Sequence, residues 1–296
     1  MSRKISYETY LVQMGHTPSG VKSYLCSGNI IARDLPNITM LNYKDIVDYL
    51  FSKSERLKNV NHKNFILYGL KKYYDYLIEI GKCENHPCKT LKIKTKQSKE
   101  VIHQDLFSTK ELQLLNNKEE RYSILKVRNE VMLSLLLNQA LVLSELKNIK
   151  LKSVDLDEGS IYIKASKTLN RRKLYLNNQQ LDLFIDYIKN HRQKLIKTKC
   201  DYFLVGKLGT QLGHSDANYL VKYFSAMFPD RHLCPLNIRR SVIANWLNEK
   251  QLSLEQVQYM AGHKLTSTTL RYRQKNIEEQ LEQINKWFPF KIGDVE

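Results

Sequence analysis

The chain has 296 residues and a formal net charge of +17 at pH 7, from 47 Lys and Arg against 30 Asp and Glu. This excess of positive charge favours a polyanionic partner, and aromatic residues scattered among basic ones are typical of nucleic-acid binding. No apolar run is long enough to span a membrane, and the first residues lack the apolar core of a signal peptide. The five cysteines lack the paired spacing of a zinc site and fit a reducing compartment. We therefore expect a cytoplasmic protein of two domains with neither a metal nor a membrane partner.

The N-terminal part of the chain predicts a small helical domain over residues 1–88. Thr17 and Pro18 supply an N-cap and a first-turn proline for one helix. Further on, apolar side chains recur about every 3.6 residues and predict a second helix with one buried face. They are Phe65, Leu67, Leu70, Tyr73, Tyr74, Leu77 and Ile78. Lys63 and Lys71 interleave with them and form either a solvated basic face or a surface for nucleic acid.

Residues 89–106 differ in composition from what precedes them and predict an extended basic linker. Its lysines follow one another closely: Lys89, Lys92, Lys94, Lys96 and Lys99. A second domain, 107–296, begins where Ser108 or Thr109 can cap a helix. Residues 131–146 are rich in apolar side chains and predict one long helix at the centre of its core.

After this helix the pattern changes from helical to alternating. Three short segments alternate like antiparallel strands, joined by a turn and a polar hairpin tip. The strands are 154–159, 160–164 and 173–176, the turn lies at Gly159, and the tip spans 166–172. Helical patterns resume at 180–195 and 217–228. The predicted fold is mainly α, with an α+β second domain that contains a small three-stranded antiparallel sheet.

The most informative stretch lies near the C-terminus, where a helical pattern breaks at Gly262 and His263 follows. Tyr272 comes shortly afterwards, between Arg271 and Arg273. A phenol can attack a phosphodiester when cationic donors hold the phosphate and stabilise the charge on its oxygens. The stretch resembles the last motif of the tyrosine recombinase (phage-integrase) family, L-G-H-x-x-x-x-T-T-x-x-Y. The alternative is that Tyr272 packs locally, as other tyrosines of the chain do.

The resemblance implies a catalytic set around a scissile phosphate, with Tyr272 as the nucleophile and His263 as the histidine before it. In the family, a lysine on a β-hairpin protonates the leaving 5′ oxygen, and no metal or other cofactor takes part. Lys167 at the predicted hairpin tip matches that lysine. Lys164 and Arg172 compete with it for the same role.

The middle motif of the family, H-x-x-R, can be aligned in two registers. In the first, Arg240 binds the phosphate and Asn237 stands in place of the histidine. In the second, Arg239 is that arginine and Leu236 replaces the histidine. We favour Arg240, because this register keeps the family's distance to the last motif without a gap. Asparagine can also donate a hydrogen bond to a phosphate oxygen, whereas leucine cannot.

The first arginine of the family pattern is missing. The family ends its central helix with T-G-L-R-x-S-E-L, whereas this chain reads Q-A-L-V-L-S-E-L and has Val142 at the arginine position. Loss of such a charged donor typically costs about 2–4 kcal/mol of transition-state stabilisation, or roughly 10²–10³ in rate. An arginine from elsewhere could supply the charge. The candidates are Arg171, Arg172, Arg239 and Arg271.

The resemblance also implies a SAM-like helical N-terminal domain that acts with the catalytic domain as a clamp around double-stranded DNA. The residues expected to bind DNA are Lys63, Lys71, Lys92, Lys94, Lys96, Arg171, Arg172 and Arg271. The expected assembly is a homotetramer on synapsed DNA and a monomer or dimer when free, with nucleoid association when DNA is bound. Residues 276–290 predict a C-terminal helix that either packs in cis or docks into a neighbouring protomer.

Two functions agree with these features. The first is a site-specific recombinase that cleaves and rejoins DNA strands through a 3′-phosphotyrosine, to integrate, excise or resolve a mobile element. The second is a catalytically impaired, recombinase-like accessory protein that binds DNA. We favour the enzyme, because Tyr272, His263 and Lys167 all stand where the family's catalytic residues do. Val142 and the missing histidine of the middle motif keep the second function open.

Overall fold

The computed structural model describes residues 5–52, 57, 59–93, 103–116, 122–197 and 199–274. The chain divides into two compact units, 1–98 and 99–296. The division falls within the basic linker predicted over 89–106. Lys94, Lys96 and Lys99 of that linker lie outside the described residues, as does the predicted C-terminal helix at 276–290.

Four α-helices and a 3₁₀ turn at Ile38–Met40 form the regular structure in the described part of the first unit. The α-helices are α1 Tyr7–Gln13, α2 Pro18–Asp34, α3 Tyr43–Leu50 and α4 Val60–Glu79. Helix α2 begins as the sequence predicts, because the Thr17 hydroxyl accepts a hydrogen bond from the Gly20 amide at 3.3 Å and Pro18 occupies the first turn. Local capping chemistry is thus sufficient to locate this helix start.

Helix α4 buries one face in the first unit's core, as its apolar periodicity predicts. Its buried face is centred on Ile66, Leu70 and Tyr74, and the Tyr74 hydroxyl donates a 2.7 Å hydrogen bond to the Ile38 carbonyl. Ile78, which the periodicity assigned to the buried face, is 38% exposed. Since Ile78 lies in the last turn of α4, the buried face of this helix ends before the helix itself does.

The described part of the second unit combines a small sheet with several α-helices. The helices are α5 Thr109–Gln113, α6 Ser123–Gln139, α7 Leu143–Asn148, α8 Asn178–Asp186, α9 Arg192–Leu195, α10 His214–Lys222, α11 Pro235–Asn248, α12 Leu254–Ala261 and α13 Thr266–Leu270. The strands are β1 Val154–Asp155, β2 Ser160–Ile163 and β3 Arg172–Tyr175. They pair antiparallel in the order β1-β2-β3. The prediction of a mainly helical fold with a small three-stranded antiparallel sheet is confirmed.

The prediction of one long helix over 131–146 is wrong. Helix α6 ends at Gln139, and Ala140 adopts a left-handed conformation with φ 49°. The chain then turns, and α7 begins after Val142. Apolar periodicity does not reveal this break, because alanine is a good helix former and the residues on both sides of it are buried. The turn matters for the packing of this unit, since the Ala140 carbonyl accepts a hydrogen bond from Arg239 of α11.

The remaining predicted helices are present in shorter or irregular form. Residues 180–195 are helical, although a π-helical turn at Tyr187–His191 separates α8 from α9. The pattern at 217–228 corresponds to α10 followed by a 3₁₀ turn at Tyr223–Met227. No helix in the described part of the chain is long and apolar enough to cross a membrane.

Candidate active site

His263 and Tyr272 lie together at the C-terminal end of the second unit's core. Helix α12 is capped at its C-terminus by Gly262, which has φ 72°, and this left-handed turn directs His263 inward, where it is 5% exposed. The His263 Nδ1 lies 2.9 Å from the Thr269 hydroxyl, which fixes the plane of the imidazole ring. The ring is stacked on that of Tyr272, with centroids 6.0 Å apart and planes inclined by 15°. The structure thus brings these two side chains together.

Tyr272 is held by its backbone while its side chain remains half-buried. Its amide donates to the Thr269 carbonyl at 3.0 Å, and its carbonyl accepts from the Asn248 side chain at 2.9 Å. Asn248 is the last residue of α11, so this contact ties the end of α11 to the tyrosine. The phenol is thereby presented at the edge of the core rather than within it.

The environment of His263 favours its neutral form. Burial is the largest cause, and the positive charges of Arg239, Arg172 and Arg271 act in the same direction. Together they lower the pKa of His263 to about 4. At neutral pH the imidazole is therefore uncharged and able to accept a proton. Three arginines also stand close enough to this ring to influence its charge.

Arg239, rather than Arg240, faces the His263–Tyr272 pair. The Arg239 side chain is buried in α11 and donates hydrogen bonds to the carbonyls of Ala140 and Ala261, the latter at 2.7 Å. Burial lowers its pKa to about 10, while Glu145 and Tyr272 act in the opposite direction, so it stays charged at neutral pH. The two carbonyls use only part of the donor set of the guanidinium.

Arg240 and Asn237, the pair of the register that we favoured from sequence, lie elsewhere. Arg240 is exposed and donates to the Asn237 Oδ1 at 3.3 Å, and the Asn237 Nδ2 donates to the His232 carbonyl at 2.9 Å. The two side chains are thus bonded to each other and to the preceding loop. In the other register, Leu236 stands in the histidine position with 54% of its surface exposed. The geometry favours the register with Arg239.

Arg172 was expected at the surface, as a DNA-binding residue and a competitor of Lys167, but it is fully buried. Its guanidinium forms two hydrogen bonds with the Glu145 carboxylate, at 2.6 and 3.0 Å, and donates to the Met260 carbonyl at 2.8 Å. Glu145 also accepts from the Val142 amide at 3.2 Å. This placement does not fit a DNA-binding role. One signal of this burial was available in the sequence. Arg172 is two residues before the buried Leu174 on the same strand, so both side chains point to the same face of the sheet.

The hairpin between β2 and β3 lies against the histidine. Leu169 pairs with His263 in an isolated antiparallel bridge, and Lys167 sits exposed at the hairpin tip. Lys164 is exposed just after β2. Arg171 is also exposed, and with Asn170 and His263 it lines an open cavity of about 620 Å³. The structure thus brings the hairpin that carries Lys167 next to His263.

Comparison with known proteins identifies the family. A model of the phage integrase family matches residues 106–279, which include all of these site residues. The chain belongs to the phage integrase family. The resemblance to tyrosine recombinases drawn from the sequence motifs is confirmed.

Relatives of this integrase-family chain include resolvases and recombinases. The TnP I resolvase of Bacillus thuringiensis is 27% identical over 280 residues, which cover 92% of this chain and 91% of that protein. The tyrosine recombinase XerC of Vibrio cholerae is 27% identical over 207 residues, or 70% of this chain. The match spans only 64% of that XerC.

Solved structures of the family share the fold. The Tn1549 transposon integrase, in complex with transposon right end DNA, aligns with a TM-score of 0.66 at 17% identity over 94% of this chain and 98% of that one. The XerH site-specific recombinase, bound to a palindromic difH substrate, aligns with a TM-score of 0.65 at 17% identity over 90% and 80%. At this level of identity the likeness concerns the fold.

Three of the lysines predicted to bind DNA lie in the described part of the first unit of this integrase-family chain. They differ in the accessibility of their side chains. Lys63 lies over the Phe51 ring, with its ammonium 4.5 Å from the ring centroid. Lys71 donates a 2.9 Å hydrogen bond to the Lys89 carbonyl. Lys92 is exposed. Of these three residues predicted to bind DNA, Lys92 has the most accessible side chain.

Proposed function

We propose that this protein is a site-specific DNA recombinase that cleaves and rejoins strands through a 3′-phosphotyrosine on Tyr272. The observation that carries the proposal is the stacking of a neutral, buried His263 on Tyr272 beside Arg239, within the region that matches the family. A nucleophile, a proton acceptor and a fixed cation at one place suit attack on a phosphodiester.

In the proposed cleavage step, the Tyr272 hydroxyl attacks the scissile phosphorus. A bond forms between the phenolic oxygen and phosphorus, and the bond from phosphorus to the 5′ oxygen breaks. His263 is suited to take the phenolic proton or to hydrogen bond to a phosphate oxygen, because it is neutral at physiological pH. Arg239 remains positively charged and can stabilise the charge that develops on the non-bridging oxygens.

Lys167 is the proposed general acid for the leaving 5′ oxygen. It is exposed at the tip of a hairpin that is bridged to His263, so its ammonium is free to meet DNA laid across the sheet. Arg172 is a poor rival, since its guanidinium is buried and bonded to Glu145. Rejoining is the reverse reaction: a 5′ hydroxyl attacks the phosphotyrosine and gives its proton to Lys167, while the bond from phosphorus to the Tyr272 oxygen breaks and the phenol regains its proton.

The partner proposed for this chemistry is double-stranded DNA, in a homotetramer that synapses two sites. The formal charge of +17 and the exposed Lys92, Arg171 and Arg271 support a DNA partner. Cleavage and rejoining of two duplexes require four equivalent tyrosines, and this requirement is the ground for a tetramer. The proposed reaction conserves bond energy in the phosphotyrosine and uses no metal or other cofactor.

A nicked suicide substrate tests the proposal. When the strand fragment after the scissile phosphate diffuses away, the wild-type protein should accumulate a covalent adduct, visible as a slower band in denaturing gels. Tyr272→Phe should bind the same DNA and form no adduct. Arg239→Gln and Arg240→Gln are a matched pair of neighbours: the first should slow adduct formation by roughly 10²–10³, and the second should change it little.

A DNA-binding accessory protein is the second candidate, and two observations favour it. Val142 provides no cation at its position, and Leu236 is an exposed apolar residue where the family has a histidine. Absence of any adduct on the protein's own recombination site, together with specific binding to that site, would establish this second function instead.

A further inference from the structure

The chain segment that carries His263 runs alongside the β2–β3 hairpin as if it were an additional strand. Within the described sheet, β3 is one of the two edge strands. At one end, the Tyr259 hydroxyl accepts from the Lys173 amide at 3.1 Å and donates to the Lys173 carbonyl at 3.2 Å. One step further, the Arg172 Nε donates to the Met260 carbonyl at 2.8 Å. These contacts begin a line of contacts between residues 259–264 and residues 167–173, which we call the seam.

The seam continues towards the hairpin tip and keeps the same antiparallel offset as far as His263. The Asn170 amide donates to the Gly262 carbonyl at 2.8 Å, and Leu169 pairs with His263. At the far end, the Lys264 Nζ donates to the Lys167 carbonyl at 3.0 Å. Each step forward along 259–263 is a step backward along 169–173, as in a β-ladder, and the contact from Lys264 to Lys167 lies one residue beyond this register. Lys264 therefore makes the last contact of this seam, at the residue proposed as the general acid.

The turn that contains Lys167 is fixed on its inner side by Ser166. The Ser166 hydroxyl accepts from the Thr168 and Leu169 amides, at 3.3 and 3.0 Å, and the Ser166 amide donates to the Leu169 carbonyl at 2.9 Å. These bonds shape the turn but do not connect it to the histidine segment. The bond from Lys264 to the Lys167 carbonyl makes that connection at the tip itself.

We propose that Lys264 is a positioning residue, which holds the hairpin tip so that Lys167 reaches the leaving 5′ oxygen. The inference rests on the proposed function. A general acid acts only from within hydrogen-bonding distance of the atom that it protonates, and displacements of about 1 Å can cost up to roughly 10² in rate. Lys264 is exposed and contributes a single hydrogen bond. We therefore expect its loss to slow cleavage about 5- to 20-fold rather than to abolish it.

A substrate with sulfur in place of the bridging 5′ oxygen separates positioning of the general acid from other roles. Breaking its phosphorus–sulfur bond releases a thiolate, which is a stable leaving group without a proton. Lys264→Met should therefore cleave the oxygen substrate about 5- to 20-fold more slowly than the wild type and the sulfur substrate at nearly the wild-type rate. Lys167→Met should show the same selective rescue with a larger initial loss. Lys264→Arg, which keeps a donor, should cleave the oxygen substrate within about 3-fold of the wild type.

Tyr259→Phe is the matched control at the other end of the seam. It removes two hydrogen bonds to Lys173, far from the tip, and any loss of rate should be equal on both substrates. The same selective rescue in Tyr259→Phe would overturn a specific role for Lys264. An equal loss on both substrates in Lys264→Met, or weaker DNA binding by that variant, would also overturn it and indicate a phosphate contact.

The outcomes also separate this inference from the proposed function. If the wild-type protein forms no adduct on either substrate, the proposed recombinase chemistry fails. If the wild type forms the adduct and Lys264→Met matches it on the oxygen substrate, only the positioning role fails. Thermal unfolding of each variant shows whether a loss of rate reflects a loss of folded protein.

Discussion

At the scale of the residue, the positive charge of the candidate site is distributed differently from the family motifs. Val142 stands where an arginine is expected. Arg172 forms a buried ion pair with Glu145, whose carboxylate also accepts a hydrogen bond from the Val142 amide. Leaving a buried charge without its partner is costly, so Arg172 is held to Glu145 rather than available to a phosphate. Arg239 is then the buried cation with donors to spare beside His263 and Tyr272.

Val142→Arg should increase the rate of adduct formation on the suicide substrate. Glu145 is already neutralised by Arg172, so the new guanidinium would be free to bind the scissile phosphate. We expect an acceleration of at least about 10-fold, because one charged donor to a phosphoryl transition state is worth up to roughly 10²–10³ in rate. Val142→Gln, which adds length without charge, is the control. A rate unchanged by Val142→Arg would show that position 142 does not face the phosphate.

The low pKa of His263 predicts a pH-dependent stability. In the unfolded chain the imidazole takes up a proton near pH 6.5, whereas in the folded protein it does so only near pH 4. The unfolded state therefore binds more protons between these values, and the free energy of unfolding must fall as the pH falls from about 6.5 towards 4. Between pH 7 and 5, urea unfolding should show that the wild type loses about 1–2 kcal/mol more than His263→Gln. Parallel losses in both proteins would contradict the neutral, buried state of His263.

At the scale of the element, the C-terminus of α12 fits its surroundings closely. Gly262 has φ 72°, and a Cβ built on it would lie 2.5 Å from the Arg172 Nη1. The left-handed turn and the close approach of Arg172 both require glycine at this position. The helix end, the ion pair and the orientation of His263 therefore depend on the same residue.

Gly262→Ala should be unusually destabilising. The new methyl group would force the buried Arg172 away from Glu145 in addition to straining the backbone, which we expect to cost about 3 kcal/mol in the free energy of unfolding. Gly159→Ala is the matched control, since Gly159 has φ 63° but nothing within 4 Å of the added Cβ. It should cost only about 1 kcal/mol, from backbone strain alone. If chemical denaturation shows the same loss in the free energy of unfolding for both variants, then Arg172 moves away from the new methyl group without destabilising the fold.

Elements with local causes could be predicted from the sequence, and contacts between distant segments could not. The cap at Thr17, the capping box that Ser108 forms with Glu111, and the alternation of the hairpin strands all act over a few residues. The choice between Arg239 and Arg240 is different, because neighbouring helix residues point in directions about 100° apart and only the packing of α11 decides between them.

The same reasoning applies to the break after α6 and to the burial of Arg172. Ala140 leaves the helix where its carbonyl accepts a hydrogen bond from Arg239, a residue far along the chain. Arg172 is buried because Glu145, in another element, neutralises it. Neither partner can be inferred from local periodicity, since each contact depends on how α7, β3 and α11 come together in the folded unit.

At the scale of the whole molecule, the charge of +17 belongs to a chain of two compact units. A polybasic protein binds DNA largely by releasing counterions, so its affinity falls steeply as salt rises. Only side chains that reach phosphates contribute to this dependence. The structure distinguishes lysines with exposed side chains, such as Lys92, from lysines whose ammonium groups are hydrogen-bonded to the protein itself, such as Lys71.

Lys92 and Lys71 provide a test of this distinction. Lys92→Gln should reduce the slope of log affinity against log salt concentration by about one, because the exposed ammonium of Lys92 is available to a phosphate. Lys71→Gln should change this slope less than Lys92→Gln and lower the thermal stability more. The reason is that the Lys71 ammonium is hydrogen-bonded to the Lys89 carbonyl and so joins α4 to the start of the basic linker. Fluorescence anisotropy of a labelled duplex between about 50 and 200 mM salt measures both slopes. If Lys71→Gln lowers the slope as much as Lys92→Gln does, the Lys71 ammonium must leave the Lys89 carbonyl for a phosphate when DNA binds.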